Sequence, residues 1–152
     1  MTKSKTRFLT VGLAMIVLLA AALFVIPATG ASASAADAPE VWDGTIAAAF
    51  AGGTGTESDP YQIADGSQLA LLAQDVNSES ASQYKNAYIK LTSDIDLGDT
   101  AWTPIGGNTV SFNGNFDGGG HTVSIKNVSA DTYAGLFGSN SGTITKLSVK
   151  GT

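Results

Sequence analysis

The sequence predicts an all-β chain, a short right-handed parallel β-helix capped at its N-terminal side by one α-helix. Three observations carry that prediction. Short apolar, β-branched runs such as Thr122-Val-Ser-Ile125 and Thr143-Ile-Thr145 alternate with glycine-rich turns, and the chain holds 18 glycines in 152 residues. Residues 113–149 overlay on themselves with a shift of 21 residues (143 − 122): Thr122 falls on Thr143, Val123 on Ile144, Val128 on Val149 and Phe116 on Phe137. A unit of that length is too short for a helical hairpin repeat and fits one coil of a solenoid, in which each coil buries its face against its neighbours. Finally, only residues 67–77 carry a helical period.

The chain begins with Lys3, Lys5 and Arg7, continues without a charge over residues 8–26, and then runs through Pro27 into a small-residue tract. Ala31 and Ala33, or Ala33 and Ala35, supply the Ala-x-Ala pattern of a secretory cleavage site, so residues 1–36 read as a signal peptide. The apolar run approaches the roughly 20 residues that span a bilayer. Cleavage is nevertheless preferred to an uncleaved anchor, because no positively charged stop-transfer sequence follows. The protein is therefore expected outside the cell or on its surface, touching membrane only through an uncleaved leader.

Removal of the leader leaves 116 residues (152 − 36), with 13 acids against five lysines, a net charge of −8. Such a surface lacks the basic footprint that displaces counterions from phosphates, which excludes a nucleic-acid partner. Cysteine is absent, so neither disulfides nor thiolate chemistry is available.

Residues 37–86 read as an N-terminal capping region. Trp42, Phe50, Tyr61 and Ile63 are candidate anchors between turns at 52–56 and Asp59-Pro60. The Gly-rich turn lacks the Lys-Ser/Thr of a phosphate-binding loop. In the helix, Leu69, Leu72, Ala73 and Val76 form one apolar stripe, with Asp65 or Ser67 as N-cap and Asn77-Ser78 as the stop. A stripe so narrow and free of lysine is expected to pack on the core and cover the first coil, whose strand edges would otherwise recruit other chains.

Residues 87–152 read as the solenoid coils. Tyr88-Ile-Lys-Leu alternates as a half-buried strand, and Ile95, Leu97, Trp102, Ile105, Val110 and Phe112 carry the apolar set into the repeat. Ile89, Leu91, Val123, Ile125, Ile144 and Leu147 form the expected core list. No second capping segment follows the repeat. The array is thus expected to be truncated at its C-terminal side and to self-associate through the 143–149 edge.

The segment Ala134-Gly-Leu-Phe-Gly-Ser-Asn-Ser-Gly-Thr-Ile-Thr-Lys-Leu-Ser-Val149 resembles the GLUG motif, named for its Gly-Leu-Phe-Gly corner, a repeat of bacterial surface proteins. Trp102-Thr-Pro-Ile-Gly106, Phe112-Asn-Gly-Asn-Phe-Asp-Gly118 and Gly120-His-Thr-Val123 resemble the segment that precedes it in exported adhesins and in the non-catalytic part of immunoglobulin A-cleaving metalloproteases. The resemblance covers the chain from Trp42 onward. It implies a surface-displayed repeat module, with a host or matrix protein or a glycan as partner. Lys146 departs from the motif, which usually has Asn there, and one full copy is present.

Chemistry-bearing residues are few. Asp94-Ile-Asp96-Leu-Gly-Asp99 places oxygen ligands at a spacing that suits calcium, but not in the pattern of an EF-hand or a calcium-binding nonapeptide. Asp also makes turns by bonding its own backbone, which is the preferred reading, so Asp94, Asp96 and Asp99 are candidate metal ligands and no other cofactor is expected. His121, the single histidine, follows Gly118-Gly-Gly120 at a strand entrance with Asp117 nearby. Without a Gly-x-Ser-x-Gly elbow it reads as structural. A polysaccharide-acting β-helix enzyme using Asp94, Asp96 or Asp117 is the alternative, and a shared groove for those carboxylates would favour it. The third possibility is a non-catalytic fragment of a larger surface protease, since no His-Glu-x-x-His motif occurs. The expected function is adhesion, binding or spacing, without catalysis.

Overall fold

A computed structural model describes residues 38–130 and 132–151. The expected leader at 1–36 and its cleavage site lie outside the described residues. Among the described residues, seven strands and one α-helix follow in the order β1 (Tyr61–Ile63), α1 (Gly66–Val76), a 3-10 segment (Glu79–Tyr84), β2 (Tyr88–Leu91), β3 (Ile95–Asp96), β4 (Asn115–Asp117), β5 (Thr122–Ile125), β6 (Thr143–Thr145) and β7 (Ser148–Gly151). The described residues form strands in parallel sheets with little helix, consistent with the all-β class that the turn-and-run pattern predicts.

All strand pairs are parallel, in two sheets: β1-β2-β4-β6 and β3-β5-β7. From β2 onward the chain alternates between the sheets. Short corners join β2 to β3, β4 to β5 and β6 to β7, and longer arcs return the chain to the first sheet. The arcs also meet in parallel, through Trp102 with Val128, Ile105 with Phe137 and Phe112 with Asn140.

Pairing fixes a register different from the one expected. Tyr61 pairs with Ile89, Ile89 with Phe116 and Phe116 with Ile144, steps of 28, 27 and 28 residues. In the other sheet Ile95 pairs with Val123 and Val123 with Val149, steps of 28 and 26. The 21-residue shift therefore superimposes β5 on β6, strands of different sheets. The two look alike because each is a Thr-led, β-branched run with its middle residue turned inward. Phe116 and Phe137 do not stack as equivalents. Their rings meet edge to face inside the fold, 5.3 Å apart at 81°, and both contact Phe112.

The core contains Ile63, Leu69, Leu72, Val76, Ile89, Leu91, Ile95, Leu97, Trp102, Ile105, Phe112 and Phe116 as the largest fully buried side chains. Of the expected list, Ile89, Leu91, Val123 and Ile125 are buried, whereas Ile144 and Leu147 are only half-buried. Ile144 stands on β6, the outer strand of its sheet, and Leu147 in the corner between β6 and β7, so no further described strand covers them. Val149, next in the Ile95–Val123 row, is 51% exposed for the same reason.

Helix α1 starts one residue before the expected position. Its N-cap is Asp65, whose Oδ1 accepts the Gln68 N–H (2.9 Å) and the Ser67 hydroxyl (2.6 Å). The predicted stripe is buried. At the other end Asn77 reaches into the next arc: its Nδ2 donates to the Pro104 carbonyl and its Oδ1 accepts the Gly106 N–H, both at 2.9 Å. Gly106 has φ +76, and a Cβ there would overlap the Ser139 carbonyl, so glycine is required at this crossing. Tyr84, 3% exposed, donates its hydroxyl to Asp75 Oδ2 at 2.7 Å; burial and then Asp75 push its pKa up.

The N-terminal edges of both sheets are covered. Residues 51–52 pair antiparallel with Gln62 of β1, and Val41 pairs with Asp96 of β3, where Trp42 N–H donates to the Asp96 carbonyl at 2.8 Å. The stretch expected to cap the array therefore also supplies the first strand, β1, of one sheet.

Candidate binding face and the acidic residues

Asp94, Asp96 and Asp99 are used separately. Asp94 Oδ1 accepts the Thr122 N–H at 3.0 Å and lies 3.2 Å from His121 Nδ1. The carboxyl is held below its usual range, first by the Thr122 N–H and then by His121. Asp96 Oδ1 accepts the Gly98 N–H at 2.9 Å, an Asx turn of the kind that competes with a metal-ligand role. Asp99 is 91% exposed and lies 4.0 Å from Lys126 Nζ. Among the described residues no group of three or more His, Cys, Asp or Glu side chains is arranged to hold a metal ion.

His121 ties the entrance of β5 to the residue preceding β3, so imidazole and carboxylate bridge adjacent parallel strands. They line an open groove of about 690 Å³ with Ser93, Glu40 and Asp65. Among the described residues no hydroxyl hydrogen-bonds the His121 ring, the contact a serine nucleophile would need for activation.

Asp117 belongs to the other sheet. Its Oδ1 accepts the Gly119 N–H at 2.9 Å and its Oδ2 lies 3.5 Å from Lys146 Nζ. The Gly119 N–H and then Lys146 and Lys90 keep the carboxyl below its usual range. Asp117 and Asp94 line different grooves, and Asp96 lines neither. Of these two grooves, neither holds more than one of the carboxylates of the hydrolytic alternative.

The outward face of β2, β4 and β6 is the feature that residue-by-residue reading missed. Register places Tyr88, Asn115 and Thr143 in one outward row and Lys90, Asp117 and Thr145 in the next. With Glu57 and Pro60 at the rim they line a shallow groove of about 480 Å³. The signal was the outward half of each alternation, Tyr-x-Lys, Asn-x-Asp and Thr-x-Thr, aligned at the 27- to 28-residue register rather than at 21.

No family model matches the chain, and no solved structure matches it. Among curated proteins it is similar to one named as a Gly-rich membrane protein in Evansella cellulosilytica, 33% identical over 112 residues and 67% of this chain. It is also similar to halomucin of Haloquadratum walsbyi, 39% identical over 111 residues and 63% of this chain. The chain spans 12% of the first relative's length and 1% of the second's.

Proposed function

We propose that this chain is a right-handed β-helical segment of an exported, surface-displayed protein, acting by binding or spacing rather than by catalysis. The observation that carries the reading is the in-register parallel stacking of both sheets. It turns each strand's inward residues into continuous apolar rows and leaves two outward faces for contact. The GLUG-like corner, the basic and apolar leader, and the names of the two relatives support the same reading. The bonding of Asp94, Asp96 and Asp117 to separate backbone N–H groups favours a structural part for these carboxylates.

The test is expression of the whole sequence in a secreting host, followed by mass spectrometry of the product. An N-terminus between Ser32 and Asp37 on an extracellular or surface-bound chain is the expected result. Retention in the cytoplasm with Met1 intact overturns the reading, as does turnover of a polysaccharide by the purified chain.

A further inference from the structure

The outward face of β2, β4 and β6 carries two kinds of chemistry side by side. Tyr88 alternates with Ile89, which is 1% exposed on the inner side, and Tyr88 is not among the apolar residues packed against the core. Tyr88 is half-buried and lies on the outward side of the sheet, apart from the inner cluster in which Tyr61, Phe50 and Tyr84 pack on one another. Adjacent strands in a sheet lie about 4.8 Å apart, so the Tyr88–Asn115–Thr143 row is a short, evenly spaced series beside an aromatic plate.

The polar groups on this face are mostly uncommitted. The side chains of Thr143, Thr145 and Lys90 form no hydrogen bond within the described residues, and the two threonines and the lysine are exposed. Asn115 donates once, to the Asn86 carbonyl at 3.3 Å, which leaves its amide oxygen and a second hydrogen. Asp117 is fixed and charged, with acceptor sites remaining after its contacts to Gly119 and Lys146. Charges balance across the groove, with Glu57 and Asp117 against Lys90 and the adjoining Lys146.

From these features we infer that the β2-β4-β6 face is a binding trough for a neutral glycan, with Tyr88 as stacking platform and Asp117, Asn115 and the threonines as hydroxyl partners. An uncharged, hydroxyl-rich ring is amphipathic: its C–H face suits an aromatic plate and its edge suits a mixture of fixed acceptors and free donors. Balanced charge disfavours a polyanionic sugar or a polybasic peptide, and an extended peptide would add to a strand edge rather than to a sheet face. The proposal rests on the binding-module reading above and names its ligand class.

The experiment is titration of the secreted chain with cellohexaose, mannohexaose and hexagalacturonate, followed by calorimetry and by amide NMR. Binding of at least one neutral hexasaccharide is expected, with shifts confined to β2, β4 and β6. Tyr88→Ala and Asp117→Asn should each weaken it at least tenfold, and Tyr88→Phe less than threefold. Tyr133→Ala, which removes a 44% exposed ring elsewhere, should leave affinity unchanged. Unchanged melting of each variant separates lost contact from lost fold. No neutral binding, preference for the uronate, or affinity indifferent to Tyr88→Ala overturns the proposal. Glycan binding by a chain that is not exported would sink the surface reading and leave the trough standing.

Discussion

The 27- to 28-residue register makes a quantitative claim about Phe116. This ring is 1% exposed, lies between Ile89 and Ile144 on the neighbouring strands, and meets Phe112 at 6.4 Å and Phe137 at 5.3 Å. Phe116→Ala removes the ring and leaves a cavity between Ile89 and Ile144, whose strands cannot close in without breaking ladder hydrogen bonds, and beside the Phe112 and Phe137 rings. A loss of about 4 kcal/mol follows, within the ~3–5 kcal/mol range for buried Phe→Ala. With an unfolding entropy of roughly 2.1 cal/mol/K per residue over the 116 residues 37–152, that loss lowers Tm by about 16 °C. Ile144→Ala, at a half-buried edge position, should cost about 1–2 kcal/mol. The decisive assay is a double-mutant cycle read by urea denaturation. Phe116→Ala combined with Ile144→Val should couple by at least ~0.5 kcal/mol, because the two side chains are paired neighbours. Additivity within ~0.3 kcal/mol for that pair, or a Tm loss under about 5 °C for Phe116→Ala, would refute the register.

Other outcomes follow from single contacts. Asn77→Ala strands the Gly106 N–H and the Pro104 carbonyl at the helix-to-arc crossing and should cost about 1–3 kcal/mol by chemical denaturation. Lys146 holds φ +49, a left-handed conformation that Asn adopts more readily than Lys; Lys146→Asn should therefore raise stability by roughly 0.5 kcal/mol, and a loss on melting would contradict the backbone reading. Asp94 has a depressed pKa in the folded chain, so its contribution is present above the ordinary carboxylate value of 3.8 and disappears as pH falls through the lower folded value. Asp94→Asn should flatten that acid limb of a Tm-versus-pH curve, and an unaltered limb would show that the Thr122 and His121 contacts add nothing. Exposed Val149 and the outer edges of β6 and β7 should make the chain associate with rising concentration in sedimentation runs; Val149→Lys should reduce that association, and a chain monomeric throughout would dismiss it.

What the sequence made legible was whatever depends on near neighbours. The helix stripe, its Asp65 cap, the β-branched runs and the corners are local, and period and turn chemistry report them directly. The stacking register was not legible, because two strands of one passage, β5 and β6, resemble each other more than β6 resembles its actual partner β4. Sequence similarity followed what a strand needs on its inner face; pairing followed the length of the arcs. Arc length is set by residues that carry no periodic signal, such as the stretch around Gly106 where Asn77 and Ser139 converge. The candidate face was hidden for the same reason. Tyr88, Asn115 and Thr143 lie 27 and 28 residues apart in sequence and become one row only when the arcs return the chain to the same sheet. His121 illustrates the middle case. Its position at a strand entrance pointed to a structural part, but its partner Asp94 is 27 residues away, beyond the reach of any local pattern. Reading a stacked parallel fold from sequence thus depends on finding the return length first, since every outward row and every cross-strand pair is defined by it.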